Sequence, residues 1–225
     1  MMEYALRFRN VTKIYPGISP ITALRDVTVD LEAGCFAALV GPSGSGKTTF
    51  LNLAAGLDEP SSGTIAIGDR ELTGLSLRER GAFRSFHVGF VFQSYNLLKN
   101  LTARENVELI SIVRGDDPEK VRRRADRALE QVGLADKGAS FPAELSGGQQ
   151  QRVAIARALV TEPRIVFADE PTANLDYQTA HQLIELFERL NREEKTAFLF
   201  STHDPRMIDR VSRKIMISDG AVAGG

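Results

Sequence analysis

The chain has 225 residues, enough for one substantial core or for one core with a smaller lobe leaning on it. Hydrophobic residues make up 43% and charged residues 25%, with a net charge of -1 at pH 7, so no bulk attraction to nucleic acid or to an anionic surface is expected. The single cysteine, Cys35, excludes an internal disulfide framework and fits a reducing compartment; at the head of an apolar run it reads as a small buried side chain.

The pattern predicts short strands at 5–8, 24–31 and 64–67, each β-prone and bounded by Gly, Pro or Asp. Pro16-Gly17 and Gly68-Asp69 predict turns between them. Residues 36–40 are continuously apolar, as in a strand buried on both faces, and run through a glycine-rich loop into a helical pattern at 48–57. Helices dominate from 94 to 159. Thr102 and Glu105 form a capping-box pair, Pro118-Glu119 opens a second helix, and Ser146 caps a third that carries Val153, Ile155, Ala156 and Leu159. The second helix holds Arg122, Arg123, Arg124 and Arg127, but Glu119, Asp126 and Glu130 share it, which predicts a solvated, ion-paired face. The last third alternates: strand 165–168, helix 179–192, strand 197–200, a short helix after Pro205, strand 214–217.

This order predicts an α/β fold, a mostly parallel sheet covered on both faces, with an antiparallel β flank near the N-terminus and an inserted helical lobe. We expect a single domain over 1–225, its core built from 1–93 and 160–225 and its lobe from 94–159. No stretch reaches the roughly 18 to 20 apolar residues that a membrane-spanning helix needs. The start of the chain has no apolar core of signal-peptide length. A cytoplasmic location is therefore expected, with docking from that side if the protein works at a membrane.

Gly41-Pro42-Ser43-Gly44-Ser45-Gly46-Lys47-Thr48 fits the phosphate-loop pattern G-x-x-x-x-G-K-[ST]. Glycines allow the backbone to wrap around phosphates and aim N–H groups inward, and the helix that follows adds the positive end of its dipole. Lys47 supplies a charge for the β- and γ-phosphates, and the Thr48 hydroxyl is placed to ligate Mg2+. The strand at 165–168 ends in Asp169-Glu170, so two carboxylates emerge where parallel-sheet ligand sites form. Asp169 can hold Mg2+ through its water shell, and Glu170 can orient or deprotonate an attacking water. The competing structural role, an acidic cap for the next helix, is disfavoured by Pro171 and the non-helical Pro-Thr-Ala-Asn that follows.

Leu145-Ser146-Gly147-Gly148-Gln149, continuing Gln-Gln-Arg152, resembles the signature of ABC-type ATPases. A hydroxyl and two glycines before a helix make a second anion-binding device, about a hundred residues after the first. One nucleotide has one γ-phosphate, so two cradles on one chain make sense if each chain lends one to a partner. The resemblance implies that arrangement: ATP held between two copies in a head-to-tail homodimer. It further implies ATP-binding by Tyr15, whose ring stacks on adenine, and by the run from Gly41 through Thr49. It implies that Gln93 touches Mg2+ and links the site to a membrane partner, that Asp176 in Asn174-Leu-Asp176 crosses the dimer interface, and that His203 contacts the γ-phosphate.

At finer grain the Gly-Pro-Ser-Gly-Ser-Gly-Lys, Val-Gly-Phe-Val-Phe-Gln-Ser-Tyr-Asn-Leu-Leu and Ser-Gly-Gly-Gln-Gln-Gln-Arg-Val-Ala-Ile-Ala-Arg runs look like the bacterial branch that drives macrolide exporters and lipoprotein-releasing complexes. That implies an ATP hydrolase on the cytoplasmic face of the membrane, driving a permease on a separate chain and, through it, extracytoplasmic components. Residues 94–101 are expected to dock that permease. Ala173 departs from the branch, which has glycine there, and the tail 219–225 reads as short and featureless. DNA-repair, chromosome and translation ATPases carry the same motifs, but usually with a coiled coil or zinc module between loop and signature, and a phosphate-loop kinase needs no second cradle. The interval here is short and lacks heptads and cysteines, so no nucleic-acid partner is expected.

Overall fold

The computed structural model describes residues 3–222, with ten strands and seven α-helices among them. The chain starts with β1 (Tyr4–Tyr15), β2 (Ile21–Glu32) and β3 (Phe36–Val40), then α1 (Lys47–Ala54), β4 (Ser62–Ile67), β5 (Arg70–Glu71), α2 (Leu77–His87) and β6 (Val88–Val91). Three helices follow: α3 (Ala103–Arg114), α4 (Pro118–Gln131) and α5 (Gly147–Leu159). The final stretch is β7 (Ile165–Asp169), α6 (Tyr177–Glu194), β8 (Ala197–Ser201), α7 (Pro205–Ile208), β9 (Arg213–Ser218) and β10 (Ala221–Val222).

Two sheets result. An antiparallel sheet has the order β2-β1-β4-β5, and a larger one the order β10-β9-β3-β8-β7-β6, parallel except for β10. Side chains alternate along the parallel strands and divide the core in two. Ala37, Leu39, Ile165, Phe167, Ala197 and Leu199 face α1 and the antiparallel sheet. Phe36, Val166, Ala168, Phe198 and Phe200 face α5 and α6. With both faces covered, the strands must be continuously apolar, which is why 36–40 and 165–168 read as buried runs. Aromatic stacking fixes each layer: Phe8 and Phe50 lie parallel at 4.3 Å, and Phe36, Phe187 and Phe200 meet edge-on at 4.9–5.0 Å.

The expected α/β architecture is present, with an antiparallel flank and helices between β6 and β7. The predicted caps hold too: Thr102 and Ser146 each accept from the backbone three residues on while Glu105 and Gln149 reach back. Several elements differ from expectation. β1 and β2 extend well past 5–8 and 24–31, because left-handed Asn10 and Asp26 and shifts in register break the alternation without breaking the ladder. Helix α2 was not expected; only Arg80 is buried along it, so it has almost no apolar stripe to read. The tail is not featureless: β10 pairs with β9, while residues 223–225 lie outside the described residues. The arginines of α4 pair largely off their own helix, Arg124 with Asp116 (3.4 Å) and Arg127 with Glu194 (3.6 Å), whereas Arg123 meets Glu119 at 3.5 Å and Asp126 pairs with Arg104 at 2.7 Å. Among the described residues Glu130 forms no ion pair, and no helix is long and apolar enough to cross a membrane.

Phe50 belongs to the helix that follows the phosphate loop and is fully buried against Phe8, so truncation leaves a cavity between the two sheets. Phe50→Ala is expected to lower stability by about 3–5 kcal/mol in urea unfolding, with m unchanged.

Candidate nucleotide site

The phosphate loop joins β3 to α1. Gly44 and Gly46 adopt left-handed φ of 78° and 106°, and a Cβ on Gly46 would meet the Ala23 carbonyl at 2.6 Å. A Cβ on Gly41 would meet the Ile217 carbonyl at 2.1 Å, so neighbouring strands leave no room for a side chain at Gly41 or Gly46, whereas Gly44 is in open space and is favoured by its left-handed φ alone. Gly46 caps α1 without a side chain, so the first N–H groups of the helix point into the loop. Lys47 is nearly buried and donates to the Gly41 and Pro42 carbonyls, both at 2.9 Å. A cavity of about 380 Å³ opens here, lined by Ala23, Arg25, Gly46, Lys47, Thr48 and Thr49 among others.

Strand register brings the second half of the site to the first. β7 pairs with β8 so that Asp169 lies opposite Ser201, and β8 pairs with β3 so that Ser201 lies opposite Leu39. The Asp169 carboxylate therefore sits 3.2 Å from the Thr48 hydroxyl and accepts a short hydrogen bond from Ser201. One residue on, the Glu170 backbone turns left-handed (φ 44°), and its N–H donates to the Ser201 carbonyl at 2.9 Å. Successive side chains of a strand point to opposite faces, so the two carboxylates do not leave β7 side by side: Asp169 turns to Thr48 and Glu170 to His203. The Glu170 side chain, one-sixth exposed, meets His203 Nδ1 at 2.9 Å.

Two side chains that the sequence did not mark hold the turn after Glu170. Gln151 of α5 is fully buried and its Nε2 donates to the Pro171 carbonyl at 2.9 Å. Asp204 accepts from the Thr172 hydroxyl at 2.9 Å and from the Arg206 guanidinium; the Arg206 bonds hold its carboxyl below the usual carboxylate range. Asn174 adds a bond to the Gln93 carbonyl at 3.1 Å, joining the two loops across the end of the sheet. Ala173 fits without strain, since its φ is not in the left-handed region, so the glycine expected there is not required.

The segment at 145–149 forms a separate cluster. Ser146 and Gln149 cap α5 reciprocally, a Cβ on Gly148 would meet the Thr179 methyl at 2.5 Å, and one on Gly147 would lie 3.2 Å from the Tyr95 hydroxyl. Asp176, which caps α6, bonds Thr179 and so lies on the same surface. Among the described residues no hydrogen bond or ion pair joins Leu145 to Gln149 with the phosphate loop, Asp169 or Glu170. The structure thus brings Thr48, Asp169, Glu170 and His203 together, ties Gln93 to them through Asn174, and leaves the second cradle as an independent site.

Against known proteins, the family model for ABC transporters matches residues 24–173, which include the loop, the second cradle and the Asp169-Glu170 pair. The chain belongs to the ABC transporter family. It is an ATP-binding, ATP-hydrolysing cassette of that family. It is 45% identical to the lipoprotein-releasing system ATP-binding protein LolD of Bordetella pertussis, over 96% of this chain and 94% of that one. It is 44% identical to the macrolide export ATP-binding/permease protein MacB 1/2 of Paracoccus denitrificans, over 96% of this chain and 32% of that one. Among solved structures, the ATP-binding cassette MJ0796, as a dimer in a post-hydrolysis state with ADP and Pi, superposes with a TM-score of 0.89 at 40% identity and 97% coverage of each chain. The fold and family expected from the motifs are those of the cassette.

Gln151 touches neither the phosphate loop nor the acids, yet it anchors the turn that aims Glu170. Gln151→Met removes that anchor while keeping the volume, and is expected to slow ATP turnover about tenfold, about 1.4 kcal/mol, with ATP affinity within about twofold of wild type. Steady-state phosphate release and equilibrium nucleotide titration check it.

Proposed function

We propose that the cassette drives a separately encoded permease of the macrolide-export or lipoprotein-release type, and that ATP is hydrolysed between two copies by water activated at Glu170. The single observation that carries the catalytic reading is the end of β7, where Asp169 faces Thr48 of the phosphate loop and Glu170 faces His203. Each carboxylate has a different neighbour, so each can take a different role.

In this reading the backbone N–H groups of Gly41 to Thr49, with Lys47, hold the β- and γ-phosphates, and Tyr15 stacks on the base. Thr48 Oγ1 and the Asp169 carboxylate, oxygen donors 3.2 Å apart, suit a hard divalent cation such as Mg2+, with Gln93 as a further ligand. When bound, that ion would offset the charge of the β- and γ-phosphates. Glu170 accepts the proton of the attacking water, and His203 holds the carboxylate on one side while reaching the γ-phosphate on the other. Ser146 and Gly148 act in trans, on the nucleotide of the partner copy, and Asp176 sits at the junction. The independence of the 145–149 cluster supports this division, as does the dimeric state of MJ0796.

Residues 94–159 act as the lobe that carries the second cradle, with the core formed by 1–93 and 160–225. The permease docks on 94–101, at the cytoplasmic face of the membrane. That segment suits a mechanical contact because it is braced from below. Asn106 bonds the Leu98 N–H and carbonyl at 2.8 and 3.0 Å, and Arg157 donates to the Tyr95 and Asn96 carbonyls. The names of LolD and MacB support this permease type for the chain as a whole.

Glu170→Gln keeps the shape of the side chain but removes its basicity and exchanges one acceptor oxygen for a donor. It is expected to reduce turnover about 10²–10⁴-fold with ATP binding retained, and to hold the ATP-bound dimer in size-exclusion chromatography. Wild-type turnover would reassign the base. The same variant, used with ATP as bait on detergent-solubilised membranes, is expected to recover a permease with few spanning helices and a large external domain; a many-helix permease would point to an importer instead.

A further inference from the structure

Tyr15 lies at the last position of β1, and its ring is held from two sides. Its hydroxyl donates to Asp58 Oδ2 at 2.9 Å. Lys13, two positions back on the same strand, places its Nζ 4.8 Å from the ring centroid. The same ammonium donates to Asp58 Oδ1 and to the Glu59 carbonyl, both at 2.7 Å. Asp58 thus receives three bonds, from Lys13, from Tyr15 and from the Glu59 N–H at 2.7 Å. Burial raises its carboxyl, but those bonds outweigh burial and hold it below the usual range, so it stays ionised near neutral pH.

Where Asp58 comes from gives the cluster its meaning. It lies four residues past the end of α1, the helix whose first turn closes the phosphate loop. The Leu57 and Asp58 N–H groups both return to the Asn52 carbonyl, at 2.8 and 3.3 Å, so the segment is a hydrogen-bonded continuation of α1. The ring of Tyr15, at the end of β1 in the antiparallel sheet, is tied to that continuation through Asp58. A solvated surface ion pair would contribute little, but Lys13 is only 12% exposed and its ammonium makes two hydrogen bonds to one segment.

We propose that Lys13 and Asp58 are positioning residues that lock the Tyr15 ring onto the body carrying the phosphate loop, and so preset the spacing between the base and phosphate subsites. The inference rests on the reading of Tyr15 as the adenine-stacking residue. With the ammonium on one ring face and the hydroxyl anchored, the other face is offered to the base at lower entropic cost, since the ring has less rotamer freedom to lose on binding. Stacking of a base on an aromatic ring adds affinity when the ring is in place. A ring free to turn forfeits part of that, and only for ligands that carry a base.

The test compares two ligands that share phosphates and differ in the base: Mg2+–ATP and Mg2+–tripolyphosphate, each titrated calorimetrically against wild type, Asp58→Ala, Lys13→Met, Tyr15→Ala and the double variant Tyr15→Ala/Asp58→Ala. Asp58→Ala and Lys13→Met are expected to weaken ATP about five- to tenfold and tripolyphosphate less than twofold, with the loss in turnover falling on KM and not on kcat. In the Tyr15→Ala background Asp58→Ala is expected to add nothing, the signature of one unit. Equal loss for both ligands would mean that Asp58 merely supports α1, and would overturn the proposal. An undiminished effect in the Tyr15→Ala background would overturn it as well. If Tyr15→Ala itself leaves the ATP-to-tripolyphosphate ratio at the wild-type value, the stacking assignment falls and the clamp with it. If that ratio collapses while Asp58→Ala and Lys13→Met match wild type, the clamp alone falls. Lys13→Met keeps the test open should Asp58→Ala not fold, because it leaves the anchor of the loop in place.

Discussion

The Asp169 carboxylate lies between two hydroxyls from different elements, Thr48 on α1 and Ser201 at the end of β8, and the rest of the site is arranged around that junction. It exists because three parallel strands end at one level. The register that sets Asp169 opposite Ser201 also sets Ser201 opposite Leu39, the penultimate residue before the phosphate loop. A one-residue slip of β7 would exchange its two faces, turning Asp169 away from Thr48 and moving Val166 and Ala168 out of the layer they fill, so the apolar packing that fixes the register also fixes the placement of Asp169. Sheet burial and active-site geometry are therefore one constraint.

The turn that follows is under a different kind of control. Glu170 is held left-handed, a conformation that costs a non-glycine residue about 1–2 kcal/mol and that persists only when its surroundings enforce it. Those surroundings are identifiable. Gln151 bonds the carbonyl of Pro171, Asp204 accepts from Thr172, and the Ser201 carbonyl takes the Glu170 N–H. Each comes from a different element, so the carboxylate is aimed by consensus of the signature helix, the segment after β8 and the sheet itself. Gln151 is fully buried, and the one bond that its side chain makes is the one to the Pro171 carbonyl.

Local patterns made much of this legible. The buried strands, the phosphate loop, the paired acids and the caps at Thr102 and Ser146 each write their requirement into a few adjacent residues. What escaped was non-local or weakly patterned. Helix α2 has a polar sequence with Gly81 inside it, although Ser76 and Glu79 formed a capping box that could have marked its start. Gln151, Asp204, Arg157, Lys13 and Asp58 are polar residues with partners elsewhere in the fold, and Lys13 and Asp58 are 45 positions apart. No periodicity announces such pairs; they appear only when the sheet brings their elements together. The divergence of the two acids follows from the alternation of the strand, but their separate partners, Thr48 and His203, lie on other elements and are not announced by it.

Helix α5 draws these parts together. Its first turn is the second cradle, Gln151 in its second turn holds the Pro171 carbonyl, and Arg157 near its end carries the Tyr95 and Asn96 carbonyls of the segment after Gln93. At the same end, Gly89 has no side chain because a Cβ there would meet the Ala158 carbonyl at 2.5 Å, so the helix lies directly against β6. Most of the helix from Gln151 to Leu159 is buried, so it is packed at interior density and leaves little room for one of these contacts to shift without disturbing its neighbours. The cradle, the turn after Glu170 and the segment after Gln93 are thereby all held to one element.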